Sequence, residues 1–233
     1  INEEDHLRIQ LFGEGIAIEE LMNLAIEIDQ NLEKLVDYAF SEKYGYLTAC
    51  PTNVGTGLRV SVMVHLPGLA ETGNLNKILH IVNNFGMSVR GVYGEGSQSM
   101  GNMYQISNNQ TLGLTEQEIV KNMKLITDKI IEQERVARKY LGKNQIGLAD
   151  KVYRAFGILE NARILSSNEC IDLLSDVKLG TDMGIISELD DTKIKKLFLC
   201  TKPANLQKYY GKMMDSNERD LKRTEIIRQI VSE

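Results

Sequence analysis

Cys50-Pro51-Thr52-Asn53-Val54-Gly55-Thr56-Gly57-Leu58-Arg59 runs without a break into Val60-Ser61-Val62-Met63-Val64-His65-Leu66, and the join between the two pieces decides how the first half of the chain is read. The second piece alternates. Arg59, Ser61, Met63 and His65 fall on one face and Val60, Val62, Val64 and Leu66 on the other, which predicts a strand that Pro67-Gly68 breaks. The first piece is a loop. Its glycines allow positive φ and close approach of the backbone to a ligand. The arginine at its far side offers a planar fork that suits a phosphate. An ordinary loop entering a strand, with a surface arginine, accounts for the same residues.

Working outward, His6 to Phe12 alternates too: Leu7, Ile9 and Leu11 point one way, and Glu4, His6, Arg8 and Gln10 the other. This predicts a strand with one apolar and one strongly polar face. After Gly13 and Gly15, apolar residues from Ile18 to Ala39 recur at helical spacing, predicting a helix to about Phe40. Tyr44 to Thr48 reads as a strand leading into the opening loop. Beyond Leu66, the pattern predicts a helix over Asn74 to Phe85, stopped by Gly86. Two strand-like pieces follow, Met87 to Ser97 and Met100 to Asn108. Glycines at 91, 94, 96 and 101 join them in a loop that carries Glu95 and is able to close over a ligand; a long hairpin is the plainer alternative. Thr115-Glu116-Gln117-Glu118 has the form of a capping box, opening a helix to about Tyr140. Leu141-Gly142-Lys143-Asn144 marks a domain boundary. After it come only helices, near 148–165, 168–179, 192–200, 204–210 and 217–231, with starts at Ser167, Asp191, Pro203 and Ser216, so the last ninety or so residues read as an all-α bundle.

Bulk properties narrow the partners. A chain of 233 residues, 42% hydrophobic and 25% charged, has room for a sizeable core in one large or two small domains. A formal charge of −5 with no basic block argues against nucleic acid. No apolar run approaches the ~18 residues of a membrane span. Cys50, Cys170 and Cys200 are odd in number and widely spaced, which fits reduced thiols in a cytoplasm better than a disulfide framework or a zinc site. The chain opens on Ile1 with functional-looking residues at once, and this predicts that sequence preceding residue 1 is missing.

Taken together, the polar clusters comprise the carboxylates Glu4 and Glu95, the thiol of Cys50 and the guanidiniums of Arg8, Arg59 and Arg90. Three arginines suit a polyanion such as a nucleoside triphosphate, and the carboxylates suit a cation across the reaction axis. Neither a Gly-x-x-x-x-Gly-Lys-Ser/Thr loop nor a kinase-type catalytic loop is present. Asn2-Glu3-Glu4-Asp5-His6, Cys50 to Gly57, and Arg90-Gly91-Val92-Tyr93-Gly94-Glu95-Gly96 resemble, in order, the signatures of the ATP:guanido phosphotransferases.

The resemblance implies an α+β fold: over 1–141 the later part of a guanido-kinase catalytic domain, an antiparallel sheet flanked by helices, and over 142–233 an all-α domain. It implies that Glu4 orients the guanidinium and acts as general base, that Glu95 holds its other edge, and that Cys50 contacts it as a thiolate. Arg8, Arg59 with Val60, Ser61, Val62 and Met63, and Arg90 with Gly91, Val92, Tyr93, Gly94 and Glu95 would bind ATP. Mg2+ would be held mainly through the ATP phosphates, with no protein ligand assigned. The helical extension and Arg219-Asp220-Leu221-Lys222-Arg223-Thr224 resemble the bacterial protein arginine kinase branch, whose phosphoarginine motif has alanine where Thr224 stands.

That branch implies protein substrates with exposed arginines marked for Clp-type degradation, an activator protein, and a homodimer formed through the C-terminal helices. The Asp220–Arg223 spacing equally fits a pair on a solvated helix face. Two departures stand out. The family's Ser-x-Arg-x-Arg motif is not in this chain, and Met63 stands where small-substrate kinases carry a histidine, with His65 two residues on. The expectation is therefore little kinase activity from these 233 residues alone. Kinase action on a small guanidine and a non-catalytic phosphoarginine-binding module remain the alternatives.

Overall fold

Apolar residues at helical and alternating spacing must be covered, and the elements that result are strands and helices in the first half of the chain and helices alone in the second, among the described residues. The computed structural model describes residues 6–92 and 99–232. In order it contains α1 (Ile18–Glu33), β1 (Phe40–Ser41), β2 (Gly45–Tyr46), β3 (Ser61–His65), α2 (Pro67–Glu71), α3 (Leu75–Asn84), β4 (Met87–Gly91) and β5 (Met103–Asn108). The helices α4 (Glu116–Leu141), α5 (Gln145–Asn161), α6 (Ser167–Asp182), α7 (Asp191–Cys200), α8 (Pro203–Tyr210) and α9 (Ser216–Ser232) follow. β1 and β2 pair antiparallel, with Phe40 opposite Tyr46, while β3, β5 and β4 lie side by side in that order. The α+β expectation is met.

The chain forms two compact units. One comprises Ile1–Val64, Asn76–Arg90 and Gln105–Glu132, the other His65–Leu75, Gly91–Tyr104 and Gln133–Glu233. In the first, Val62, Val82, Met87, Ile106, Ile119 and Met123 are buried. The capping box of α4 forms as predicted. Thr115 Oγ1 accepts the Glu118 N–H at 3.2 Å, and the Glu118 carboxylate accepts the Thr115 N–H at 2.8 Å.

Two expectations for this unit fail. His6 to Phe12 pairs with no other strand among the described residues, and Leu7 and Ile9 stay more than a third exposed (39% and 38%). Alternation alone does not make a strand, which needs a ladder partner. The helix predicted to Phe40 ends at Glu33, with Lys34 as its C-cap. Phe40 is taken instead by the hairpin, its ring edge-on to Tyr46 at 5.3 Å with Tyr38 at 5.7 Å on the same ring. Burial and the nearby Asp29 push the Tyr46 hydroxyl up to about 12, and it donates to the Asp29 carboxylate at 3.1 Å.

In the second unit Val152, Leu159, Leu174, Val177, Ile194, Leu197, Leu206, Ile227 and their neighbours form one apolar core shared by α5 to α9. The caps lie one residue before Ser167 and Asp191, which are themselves the first helical residues. Extended Ser166 accepts the Glu169 N–H and extended Asp190 the Lys193 N–H. Pro67-Gly68, expected only to break β3, also opens α2 with proline in its first turn. The Gly68 and Leu69 N–H groups donate to the buried Glu134 carboxylate at 2.8 and 2.9 Å. Among the described residues no helix is long and apolar enough to cross a membrane.

Candidate active site

The opening loop is built on a turn of 3-10 helix over Pro51–Asn53 and is fastened to the segment after β5. Thr111 Oγ1 donates to Thr52 O at 2.9 Å and Val54 O at 2.8 Å, and Thr56 N–H donates to Thr111 O at 2.9 Å. Gly55 and Tyr46 exchange backbone hydrogen bonds of 2.8 and 3.2 Å. A Cβ on Gly55, whose φ is +111°, would sit 2.2 Å from Thr111 O. Gly55 is thus required by the chain's approach to itself, a different reason from the ligand approach expected of it. Gly57, at φ +61°, has no neighbour nearer than 3.9 Å to such a Cβ.

Cys50 is half-buried and heads this turn: its carbonyl accepts the Asn53 N–H at 3.0 Å and the Thr48 hydroxyl at 2.6 Å. Its Sγ lies 2.9 Å from Thr52 Oγ1. Neither threonine was singled out from the sequence, although both stand within two residues of the thiol.

Asn108, 7% exposed, is the other residue that sequence reasoning missed. Its Oδ1 accepts the Val60 N–H at 2.8 Å and its Nδ2 donates to Leu58 O at 3.0 Å, so one side chain brackets the backbone of Arg59. Nothing local in the sequence announces this, because the two segments lie 48 positions apart. In β3, Ser61 and Met63 are exposed and Val62 is buried, as the alternation predicts. Ser61 Oγ donates to Ser107 Oγ at 3.1 Å. Arg90 is exposed on β4, across β5 from β3. Among the described residues, Arg8, Arg59 and Arg90 make no side-chain hydrogen bond or ion pair. Gly91 and Val92 belong to the other compact unit. Glu4, Tyr93, Gly94 and Glu95 lie outside the described residues. Also among the described residues, no group of three His, Cys, Asp or Glu side chains is arranged to hold a metal.

The α9 motif is placed differently. Arg223 is 1% exposed, so the solvated-face alternative does not hold for it. Its Nε donates to Thr201 O at 3.0 Å, and its Nη1 donates to Leu165 O and the Asp220 carboxylate, each at 2.5 Å. Thr224, equally buried, donates to Leu221 O at 2.8 Å and Arg163 O at 3.2 Å. Arg219 is half-buried and donates to Met214 O at 2.7 Å.

Residues 1–137 match the family described as ATP:guanido phosphotransferase, C-terminal catalytic domain. The chain belongs to that family. Residues 145–233 match the protein-arginine kinase McsB C-terminal domain. A protein-arginine kinase of Halothermothrix orenii is 54% identical over 98% of this chain, and one of Bacillus pumilus is 51% identical over 98% of it. The chain spans 66% and 63% of those two relatives' lengths. Among solved structures, the substrate-free duplicated taurocyamine kinase from Schistosoma mansoni aligns at 32% identity over 51% of this chain and 15% of that one, with a TM-score of 0.43, too low to transfer geometry.

Proposed function

We propose that this chain is part of a protein arginine kinase, transferring the γ-phosphoryl of ATP to arginine side chains of proteins. The observation that carries the reading is a pair of exposed guanidiniums, Arg59 and Arg90, unpartnered among the described residues, in a guanido-phosphotransferase chain whose second half matches a protein-arginine kinase domain. The two arginines fit the phosphates of ATP, with Arg8 as a third contact, and Mg2+ would be carried on those phosphates. A guanidinium has a pKa above about 12 and is a poor nucleophile until it is aligned and relieved of a proton. Glu4 would take that proton as the new P–N bond forms and ADP leaves, while Cys50 and Glu95 align the cation. Catalysis is then mainly positioning and charge stabilisation.

The same reading takes proteins with exposed arginines as substrates, destined for Clp-type degradation in the cytoplasm, with an activator protein as a further partner. It places phosphoarginine recognition in α9, with Arg219 and Asp220, both part-exposed, as the contacts and the buried Arg223 and Thr224 as their support. Exposed Ile146, Ile164 and Leu199 support a homodimer through the C-terminal helices.

The test is to offer the full-length gene product ATP with an unfolded protein and free L-arginine side by side. Acid-labile phosphoarginine is expected on the protein; preference for the free amino acid would support the small-guanidine kinase instead. Glu4→Ala or Cys50→Ala is expected to lower the rate by at least about 10²-fold. Near-normal turnover by the Glu4 variant would sink the mechanism.

A further inference from the structure

A loop of ten residues carries Cys50 at one end and Arg59 at the other, and a segment of four residues far along the chain, Asn108 to Thr111, holds it near both ends. Loop and segment belong to the same compact unit. Asn108 is the last residue of β5, the middle strand of its sheet. Its side-chain oxygen and amide nitrogen are both engaged. Oδ1 accepts the Val60 N–H at 2.8 Å, while Nδ2 donates to Leu58 O at 3.0 Å and to Gln110 O at 2.9 Å. The Asn108 N–H also donates to Val60 O at 3.3 Å. Three bonds from one residue thus hold the backbone on either side of Arg59, and the fourth ties the amide to its own segment.

Thr111 does the same toward the Cys50 end. It is 8% exposed, and its single hydroxyl proton is shared between Thr52 O at 2.9 Å and Val54 O at 2.8 Å. In return its carbonyl accepts the Thr56 N–H at 2.9 Å and the Thr56 hydroxyl at 3.2 Å. The middle of the loop lies directly on the same segment, because a Cβ on Gly55 would meet Thr111 O at 2.2 Å and Leu112 Cα at 2.8 Å. Thr56 Oγ1 then accepts the Leu58 N–H at 3.2 Å, which joins one grip to the other. Both gripping side chains are buried, so a bond lost from either leaves a buried polar group without its partner.

We propose that Asn108 and Thr111 are positioning residues, a clamp that fixes the two ends of this loop relative to one another, Thr111 acting through Cys50 and Asn108 through Arg59. That the two ends serve the two sides of a phosphoryl transfer rests on the kinase reading above; the clamp itself does not. A shift of about 1 Å in such a pair can cost on the order of 10²-fold in rate. The experiment is amide hydrogen exchange and kinetics on the full-length gene product, for wild type, Asn108→Ala, Thr111→Val and Thr111→Ser. Thr111→Val is expected to exchange about tenfold faster at the Asn53 and Thr56 amides, and Asn108→Ala at those of Leu58 and Val60. The amides of Ile119 and Met123, buried in α4, should keep their wild-type exchange, which reports that this unit remains folded. Thr111→Ser keeps the hydroxyl and should stay within about twofold of wild type.

In kinetics Asn108→Ala and Thr111→Val should each phosphorylate about tenfold more slowly. Each loss should disappear once the side chain it acts through is gone. Asn108→Ala is expected to slow an Arg59→Ala enzyme by less than about twofold, and Thr111→Val to slow a Cys50→Ala enzyme by no more than that. Losses that multiply instead overturn the positioning role, since a merely structural defect would add to either background. Unchanged exchange in both single variants overturns the clamp, as does a serine variant that exchanges as fast as the valine one. If Asn108→Ala fails to fold, the two Thr111 variants and the Cys50→Ala background decide in the same way. A wild type that phosphorylates no guanidine removes the kinase reading and leaves the exchange result to decide the clamp.

Discussion

Arg59 stands exposed at the mouth of β3, its backbone bracketed by Asn108 and its guanidinium without a partner among the described residues. Arg223, in α9, is 1% exposed, and its guanidinium is committed to Thr201 O, Leu165 O and Asp220. The first arginine has a fixed base and, among the described residues, an unpartnered charge, which is what a ligand contact requires. The second has its charge desolvated, and this is tolerable only because its donors find acceptors. Thr201 is the C-cap of α7 and Leu165 lies just before α6, so the side chain satisfies carbonyls at the margins of two helices. One residue type is thus open to a ligand in one region and committed to architecture in the other, and burial separates the two.

Substitutions can break this contrast. Arg223→Ala leaves two buried carbonyls and a part-buried carboxylate without their donor, and should cost about 3–5 kcal/mol of stability, read as a lower urea midpoint. An unchanged midpoint would show that water replaces the guanidinium and would end the comparison. Arg59→Ala should do the converse. The rate of arginine phosphorylation is expected to fall about 10²–10³-fold, as for loss of a transition-state donor, with the urea midpoint unmoved. If Arg59→Ala unfolds the protein instead, its exposure has been misjudged as availability.

The smallest effect is a pH dependence at His65. Burial, then the neighbouring Arg138, push its pKa down to about 3, with Lys178 adding to this and Asp182 opposing it. The folded form therefore binds fewer protons than the unfolded one, whose imidazole titrates near 6.5. Its contribution is complete above pH ~6.5 and is lost as pH falls toward about 3. Between pH ~6.5 and ~4.5, wild type should lose about 2 kcal/mol more stability than His65→Gln. Equal losses would mean that the histidine is not held neutral beside Ser175.

Much of the fold could be read from local pattern. The capping box of α4, the alternation of β3 and the five C-terminal helices came through to within a few residues, because caps and periodicity are properties of adjacent residues. The failures share a cause. The alternation of His6 to Phe12 carries no information about a ladder partner, and the helical spacing up to Phe40 carries none about the pull of Tyr46. For the site, residue types and order were enough to single out Cys50, Arg59 and Arg90. Their supports, Thr52, Thr111 and Asn108, are polar residues of ordinary appearance whose roles depend on which backbone they meet.

By itself, then, the sequence determined the chemistry on offer and the family: a thiol, spaced guanidiniums and carboxylates in a recognisable order, followed by an amphipathic helical half. Only the tertiary structure decided which glycine faces backbone and which faces open space, which arginine is exposed and which is buried, and that α6 reaches segments of the catalytic match. The physical reason is range. Side-chain chemistry and helix capping are settled within a few residues, whereas burial and the pairing of buried polar groups are settled by segments such as 65, 101 and 175 that meet only when the chain has folded.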